Sequence, residues 1–224
     1  MGTAEERPSR IPGAVVWQRS PTGPGRILPD GCMDLIHMDG RLVVAGPDTV
    51  AHLADPPAGQ RLTAIRFAPG TAAGILGIPA DELRDLRVPL DDLWGEKRAR
   101  QLAERLAEAP DRAAALEAAL IGVGDPAEAW IDSVTARLRA GAPVAAVAND
   151  VGFSERQLHR RSLTVFGYGL KTLSRILRLN RALDLARGGM AFGTVAATSG
   201  YADQAHLARE VRALAGAPLT EVLR

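Results

Sequence analysis

Val147-Ala-Asn-Asp-Val-Gly-Phe-Ser-Glu-Arg-Gln-Leu-His-Arg160 and Val195-Ala-Ala-Thr-Ser-Gly-Tyr-Ala-Asp-Gln-Ala-His-Leu-Ala-Arg209 are two copies of one sequence pattern. Each copy opens with a Val-Ala pair, reaches a glycine followed by an aromatic residue, and closes with Leu-x-Arg. The offset between the copies is 48 residues up to the aromatic residue and 49 at the leucine. The repeat predicts two helix-turn-helix units, the second with one extra residue in its turn.

The spacing within each copy fits a short helix, a tight turn and a second helix. The alanine of the Val-Ala pair is small enough for the two helices to cross closely. Gly152 and Gly200 tolerate the positive φ that the turn requires, and the aromatic residue that follows each glycine fills the gap between the helices. Ser154 and Asp203 are suited to cap the second helix of their units.

The residues around each anchoring leucine are candidates for contact with nucleic acid. Arginine and glutamine side chains bind the guanine and adenine edges that are exposed in the major groove of DNA. A merely solvated helix face is the alternative interpretation, but two copies in the same register favour DNA contact. The candidates are Arg156, Gln157, His159 and Arg160 in the first unit, and Asp203, Gln204, His206 and Arg209 in the second.

Charge is distributed unevenly along the 224 residues, although the total is only +1. Residues 1–129 contain 14 basic and 19 acidic side chains, whereas residues 130–224 contain 13 basic and 7 acidic ones. The C-terminal part therefore carries a net charge of +6, which favours a polyanionic partner such as double-stranded DNA. Arg175, Arg178 and Arg181 lie three residues apart beyond the first unit, where they could bind phosphates or form salt bridges.

Residues 142–224 resemble the tandem helix-turn-helix domain of the AraC/XylS family of transcription regulators. The resemblance implies that a recognition helix of each unit, Glu155–Val165 and Asp203–Leu214, enters one of two successive major-groove segments. It also implies that a long helix, Leu170–Ala186, sets the spacing between them. The residues that carry the resemblance are Gly152-Phe153, Leu158, Arg160, Phe166-Gly167, Lys171, Leu179, Arg181, Ala182, Val195-Ala196, Gly200-Tyr201, Asp203, Gln204, His206, Leu207, Arg209, Gly216 and Pro218.

Three positions depart from the usual residues of that family. Ser162 stands where an aromatic residue is usual, Leu170 where proline is usual, and Val211 where an aromatic residue is common. These changes concern packing rather than the surface predicted to contact DNA.

The N-terminal part has the texture of strands and turns from about residue 14 to residue 68, after an expected loose tail of ten residues. Asp39-Gly40 is a strong signal for a hairpin turn between two apolar runs. The predicted strands are Ala14–Trp17, Cys32–Met38, Leu42–Ala45 and Leu62–Phe67.

Helices are predicted from about residue 71 to residue 121, after the strands. The first three are short, at Thr71–Leu76, Ala80–Leu83 and Leu90–Trp94, and two longer ones follow at Glu96–Ala109 and Arg112–Ile121, the last capped by Asp111. A linker is expected at about 122–125, followed by a helix over residues 126–139 with Asp125 as its cap and Pro126 at its first position. The predicted fold class is α+β, with a strand-rich N-terminal domain and helical connector at 1–121 and an all-α tandem helix-turn-helix domain at 125–224.

The N-terminal domain also resembles an uncharacterised sensor-type domain that precedes this kind of DNA-binding domain in many regulators. Residues 26–36, 44–47 and 66–70 carry that resemblance, which implies context but no particular ligand.

Cys32, Asp34, Trp17 and Phe67 are the candidate sensor or effector residues. Cys32 could be a sensor thiol, a metal ligand or a buried apolar residue, and the aromatic residues could line an apolar pocket or form the core. Because side chains alternate along a strand, Cys32 and Asp34 are expected on one face and His37 on the other. That placement disfavours a catalytic or metal-binding pair of Cys32 and His37.

The remaining features exclude several classes of protein. No apolar run is long enough to span a membrane, no secretory signal is visible at the N-terminus, and a single cysteine excludes an internal disulfide. A cytoplasmic regulator without catalytic residues, bound metal or cofactor is expected, with RNA polymerase as a partner and a small-molecule effector and a homodimer as possibilities. Two alternatives stay open: a constitutive DNA binder whose first domain only dimerises, and an enzyme that uses Cys32.

Overall fold

A six-stranded antiparallel sheet organises the N-terminal domain in the computed structural model, which describes residues 4–57, 59–125 and 127–224. Its strands run in the order β1-β2-β7-β4-β5-β8, and β3 pairs with β6 in a separate two-stranded ribbon. The strands are β1 (Ala4–Pro8), β2 (Ala14–Arg19), β3 (Gly25–Ile27), β4 (Met33–Met38), β5 (Arg41–Ala45), β6 (His52–Ala54), β7 (Leu62–Phe67) and β8 (Arg87–Pro89).

The four predicted strands correspond to β2, β4, β5 and β7, with small differences at their ends. The hairpin between β4 and β5 is confirmed, because Met38 pairs with Arg41 and both Asp39 and Gly40 have positive φ, at 47° and 74°. The expectation of a loose N-terminal tail is wrong over residues 4–8, which form β1. This strand escaped prediction because it is a polar edge strand, held by backbone hydrogen bonds rather than by an apolar face.

Glu117 fixes the turn that follows β1. Its carboxylate is almost fully buried and accepts hydrogen bonds from Ser9 Oγ at 2.7 Å, from the backbone N–H of Arg10 at 2.6 Å and from both arginine side chains, Arg7 and Arg10. Burial by itself would raise the pKa of Glu117, but these hydrogen bonds outweigh it and lower the pKa to about 2.

The described residues form twelve helices, of which one is a 3₁₀ helix at Ala80–Leu83. The α-helices are α1 (Ala72–Leu76), α2 (Leu90–Trp94), α3 (Glu96–Glu108), α4 (Arg112–Leu120), α5 (Ala129–Arg139), α6 (Val144–Asp150), α7 (Glu155–Phe166), α8 (Leu170–Arg187), α9 (Phe192–Thr198), α10 (Gln204–Ala215) and α11 (Leu219–Val222). The predicted α+β class, with strands first and helices after, is confirmed.

Helix ends follow the predicted caps in part. The Asp111 carboxylate accepts a hydrogen bond from the backbone N–H of Ala114 and caps α4 as expected. Helix α5 begins at Ala129 after Glu128, three residues later than predicted, so Asp125 does not cap it. Pro126 lies outside the described residues. The division of the chain at 122–125 stays a prediction.

Apolar side chains form three cores. The first lies between one face of the sheet and helices α1 to α4. The second is built from α5, α6, α7 and the N-terminal half of α8, and the third from the C-terminal half of α8 together with α9, α10 and α11. Because α8 contributes to both helical cores, it connects two helix-turn-helix units through one continuous helix. Within the described part of the chain, no helix has the length and apolar character needed to cross a membrane.

Candidate nucleic-acid interface

The first helix-turn-helix unit consists of α6 and α7. Gly152 lies in the turn with φ of 69°, as the sequence predicts. Ser154 Oγ accepts a hydrogen bond from the backbone N–H of Gln157 at 3.3 Å, and Gln157 Oε1 accepts one from the backbone N–H of Ser154 at 3.0 Å. This reciprocal capping box satisfies donors that a helix start otherwise leaves free. Leu158, Ser162 and Phe166 face the core at four-residue intervals.

The second unit consists of α9 and α10 and repeats this construction. Gly200 has φ of 78°, and Asp203 Oδ1 accepts a hydrogen bond from the backbone N–H of His206 at 2.6 Å. Leu207 and Val211 are completely buried on the inner side of α10. Both predicted caps are therefore confirmed, and each unit presents its second helix to solvent.

Two sets of arginines can be distinguished by their partners. Arg161 donates to the Glu128 carboxylate at 3.0 Å and lies over the ring of Phe153 at 4.6 Å. Arg156, Arg160 and Arg209 are exposed and form no ion pair with the described residues, in contrast to the paired arginines of the same domain. Three unneutralised cations thus project from the outer faces of α7 and α10.

The predicted site residues do not all have the same role. Gln157 and Asp203 are engaged as caps, as described above. His206 is half-buried, its Nδ1 accepts a hydrogen bond from the backbone N–H of Ala202 at 3.3 Å, and its ring meets that of Tyr201 edge-on. His159 is exposed beside Gly169, at the start of α8. Gln157, Asp203 and His206 therefore have a structural function in the turns.

Arg212 is an exposed candidate that the sequence analysis did not include. It lies on α10 three residues after Arg209 and therefore on the same outer face. The helical spacing from Arg209 was the signal that could have identified it.

The arginines of the connecting helix separate into two groups. Arg175 donates to Glu210 through Nε at 3.0 Å and Nη2 at 3.1 Å, and Arg178 lies 3.8 Å from the same carboxylate and stacks on Tyr201. The hydrogen bond from Arg175 lowers the pKa of Glu210. Salt-bridge formation therefore accounts for Arg175 and Arg178. Arg181 is exposed and has no ion pair among the residues described.

The three departures from the family pattern are accommodated inside the cores. Ser162 is fully buried and its Oγ donates to the carbonyl of Leu158 at 2.6 Å, which satisfies the hydroxyl within its own helix. Leu170 is buried in the second core and Val211 in the third. None of the three reaches the outer face of a unit.

The sensor candidates lie on two different faces of the sheet. Trp17 Nε1 donates to Asp34 Oδ1 at 2.7 Å, Arg66 Nε donates to the same oxygen at 3.2 Å, and the backbone N–H of Cys32 donates to Asp30. Phe67 follows Arg66 directly, so its side chain points to the opposite face, where it is completely buried in the first core. The structure therefore does not bring Phe67 together with Cys32, Asp34 and Trp17.

The surroundings of Cys32 disfavour a reactive thiolate. Burial raises the pKa of the thiol well above its usual value, and the neighbouring carboxylates of Asp30 and Asp34 raise it further, while Arg66 opposes them. His37 is buried on the other face of β4, as the alternation predicted. Among the described residues, no group of three or more Cys, His, Asp or Glu side chains is placed to hold a metal ion.

Comparison with known proteins agrees with this architecture. A family described as "Helix-turn-helix domain" matches residues 147–224, and a domain of unknown function (DUF6597) matches residues 14–89. No curated protein sequence matches the chain. A structure of apo ToxT from Vibrio cholerae is similar with a TM-score of 0.50 at 10% identity, over 96% of this chain and 98% of that one. A second ToxT structure, from the same organism, has a TM-score of 0.48 at 10% identity and covers 94% and 97% of the two chains.

Two helix-turn-helix units on one shared helix define a protein that binds DNA. The family matches show a helix-turn-helix domain at the C-terminus and a domain of the uncharacterised family at the N-terminus, in a fold that is similar to that of ToxT. These matches agree with the helix-turn-helix domain and the uncharacterised N-terminal domain that the sequence resembles.

Proposed function

We propose that α7 and α10 enter two successive major-groove segments on one side of a DNA duplex, so that the protein regulates transcription from a specific promoter site. Arg156 and Arg160 of α7, and Gln204 and Arg209 of α10, are the side chains proposed to contact base edges. The observation that carries this proposal is the absence of ion-pair partners for these exposed arginines within the described residues, whereas Arg161 and Arg175 are paired.

The other predicted contact residues are assigned differently. Gln157, Asp203 and His206 hold the turns and helix starts. We therefore expect them mainly to orient α7 and α10, which we call the reading helices, and to contact phosphates only secondarily. His159 is exposed one position before Arg160 and is proposed as a phosphate or base contact of the first unit.

The N-terminal domain is proposed to respond to a small molecule and to alter DNA affinity or contact with RNA polymerase. The raised pKa of the partly buried Cys32 thiol argues against a thiol-reactive signal. A constitutive binder that uses this domain for homodimerisation is the second candidate. It is favoured by the closed hydrogen-bond network on this face of the sheet, in which Asp34 accepts from both Trp17 and Arg66.

The test is binding of the purified protein to a labelled duplex from the intergenic DNA beside its own gene, titrated with salt and with nonspecific competitor. Specific recognition predicts competitor-resistant binding whose logarithm falls linearly with the logarithm of salt concentration. If this duplex fails, a pool of random genomic fragments is used for selection. Failure to enrich any sequence from that pool would overturn the proposal.

A further inference from the structure

The C-terminal ends of both reading helices lie against the N-terminal domain. Helix α7 ends at Phe166 and is followed by Gly167, whose carbonyl accepts a hydrogen bond from Arg84 Nη1 at 3.3 Å. Gly167 also packs against Pro47 and against the backbone of Ala80 in the 3₁₀ helix. The end of the first reading helix is therefore enclosed by residues that precede it by more than 80 positions.

Helix α10 ends in an equivalent contact with a different segment. Arg26 Nη1 donates to the carbonyl of Ala215, the last residue of the helix, at 2.6 Å, and Arg26 Nη2 donates to Glu221 Oε1 at 2.9 Å. The backbone N–H of Ala51 donates to the carbonyl of Leu214 at 2.7 Å. Two terminal carbonyls of the second reading helix thus receive donors from the N-terminal domain.

These contacts have a common physical basis. The last carbonyls of a helix have no donor within the helix and carry the negative end of its dipole, so a cation placed there is stabilising. Arg26 supplies that cation to the last carbonyl of α10, and Arg84 places one at the carbonyl of Gly167, immediately after the end of α7. An arginine fixes the orientation of its acceptor better than a lysine does, because the N–H donors of the guanidinium lie in a rigid plane.

The segment that carries Arg26 also contacts the spacer helix. Asn180 Nδ2, near the middle of α8, donates to the carbonyl of Pro29 at 2.9 Å, and Leu28 packs on the third core. Gly31 approaches Leu173 of the second core. Residues 26–31 therefore contact both helical cores and the helix that joins them.

We infer that Arg26 and Arg84 are positioning residues of the DNA interface: they hold the reading helices from their C-terminal ends, so that the N-terminal domain as well as α8 fixes how the two helices are placed. The inference rests on the proposed function. The two arginines contact the C-terminal ends of α7 and α10, whereas the first turns lie at the other ends, about 18 Å away. A small rotation at the C-terminal end therefore displaces the first turn of the helix.

This arrangement predicts effects confined to one half of the DNA site. Loss of Arg26 frees the second reading helix and leaves the first in place, whereas loss of Arg84 does the reverse. A general loss of folding would instead weaken binding at every position. The pattern along the DNA therefore separates positioning from stability.

The experiment uses the full-length protein and a duplex enriched by the wild type from a random-sequence pool. Affinity is measured for every single base-pair substitution of that duplex, with the wild type, Arg26→Ala, Arg26→Lys, Arg84→Ala and Arg61→Ala. Arg61 is the matched control, because it belongs to the same domain but has no ion pair within the described residues. Profiles of Arg160→Ala and Arg209→Ala assign base pairs to the first and second units.

Arg26→Ala is expected to lower affinity for the selected duplex about tenfold. It should also reduce the loss of affinity caused by base-pair substitutions, which flattens the profile, but only in the segment assigned to Arg209. Arg26→Lys should recover part of that profile, since lysine still donates to a helix carbonyl. Arg84→Ala should flatten the other segment, by a smaller factor because its hydrogen bond is longer. Arg61→Ala should match the wild type.

Three results would overturn the inference: an unchanged profile for Arg26→Ala, a uniform loss over both segments in a folded variant, or tighter binding, which would mean that the N-terminal domain restrains the helices away from DNA. Thermal unfolding of each variant checks folding. If Arg26→Ala does not fold, Glu221→Gln, which removes charge from the other side of the contact, is expected to give a weaker effect in the same segment, and its absence overturns the inference. Failure of the wild type to enrich any duplex would instead refute the proposed function.

Discussion

Arg175 of the connecting helix and Glu210 of the second reading helix form a two-point ion pair, with nitrogen–oxygen distances of 3.0 and 3.1 Å. The pair joins positions 35 residues apart and fixes α10 against α8. Arg178 adds a second cation to the same carboxylate and covers the ring of Tyr201. The orientation of the second unit therefore depends on a contact that uses two of the three arginines first considered as phosphate ligands.

Replacing Glu210 with glutamine should lower the free energy of unfolding by about 1 kcal/mol, because the amide keeps one acceptor oxygen for Arg175 but loses the second acceptor and the charge. The lowered pKa of Glu210 means that its contribution is present above the usual carboxylate range and declines as pH falls below it. Denaturant unfolding at pH 7 and at lower pH checks this, and Glu155→Gln, at an exposed carboxylate with no ion pair among the described residues, is the control. A wild type and variant with equal stability at pH 7 would contradict the expectation.

Arg160→Ala and Arg209→Ala should each weaken specific DNA binding by about 1–3 kcal/mol and relax the base preference at one position. The physical reason is the loss of a two-point contact to a base edge without any disturbance of the fold, since neither arginine is paired within the described residues. Fluorescence anisotropy on the selected duplex and its single-base variants measures the effect. Arg187→Ala, which removes an exposed pair with Asp184, is the control. A wild-type binding curve for Arg160→Ala would remove that residue from the interface.

Ser154→Ala should destabilise the first unit by about 1 kcal/mol, because the first turn of α7 loses the acceptor for the Gln157 backbone N–H. Asp203→Ala should have a similar effect on α10 through the His206 backbone N–H. Hydrogen exchange at those two amides gives the most local measurement. Faster exchange at Gln157 but not at His206 is expected for the Ser154 variant, and the reverse for the Asp203 variant. Unchanged protection of both amides would show that water replaces the caps without cost.

Glu117→Gln should destabilise the protein by about 2 kcal/mol at pH 7, because Ser9, Arg7 and Arg10 lose a charged acceptor. The folded-state pKa of Glu117 is about 2, below its ordinary value of 4.5, so its contribution is complete above pH 4.5 and is lost as pH falls towards 2. The difference in unfolding free energy between wild type and variant should therefore shrink over that interval. A difference that stays constant from pH 6 to pH 2.5 would contradict the assignment.

Cys32 should react slowly with iodoacetamide at pH 7.5 in the folded protein and at the rate of an ordinary thiol after unfolding. The raised pKa keeps the thiol protonated, and the thiolate is the reactive form. Cys32→Ala should leave DNA affinity unchanged, within about 0.5 kcal/mol, if the residue only fills space. Fast alkylation of the native protein accompanied by loss of DNA binding would restore the thiol-sensor hypothesis.

Local features were determined by the sequence itself. The glycines of the two turns, the caps Ser154, Asp203 and Asp111, and the Asp39-Gly40 hairpin all depend on backbone conformation and on hydrogen bonds that reach no more than three or four residues. The two copies of the pattern then defined the helical domain, because each copy supplies its own turn and its own anchoring leucine. The start of helix α5 was predicted three residues too early, because the cap signal of Asp125 was overridden by packing that begins with Trp130 and Ile131.

Long-range pairing was decided only by the tertiary structure. Edge strand β1 has no apolar period of its own, Phe67 and Trp17 were separated once the strand register placed them on opposite faces, and Arg175 met Glu210 only when α10 packed on α8. Arg26 shows the same limit most clearly, since its acceptor on Ala215 lies 189 residues away. A sequence pattern indicates interactions between residues that are close along the chain. Contacts between residues far apart in sequence depend instead on how the separate hydrophobic cores pack against one another.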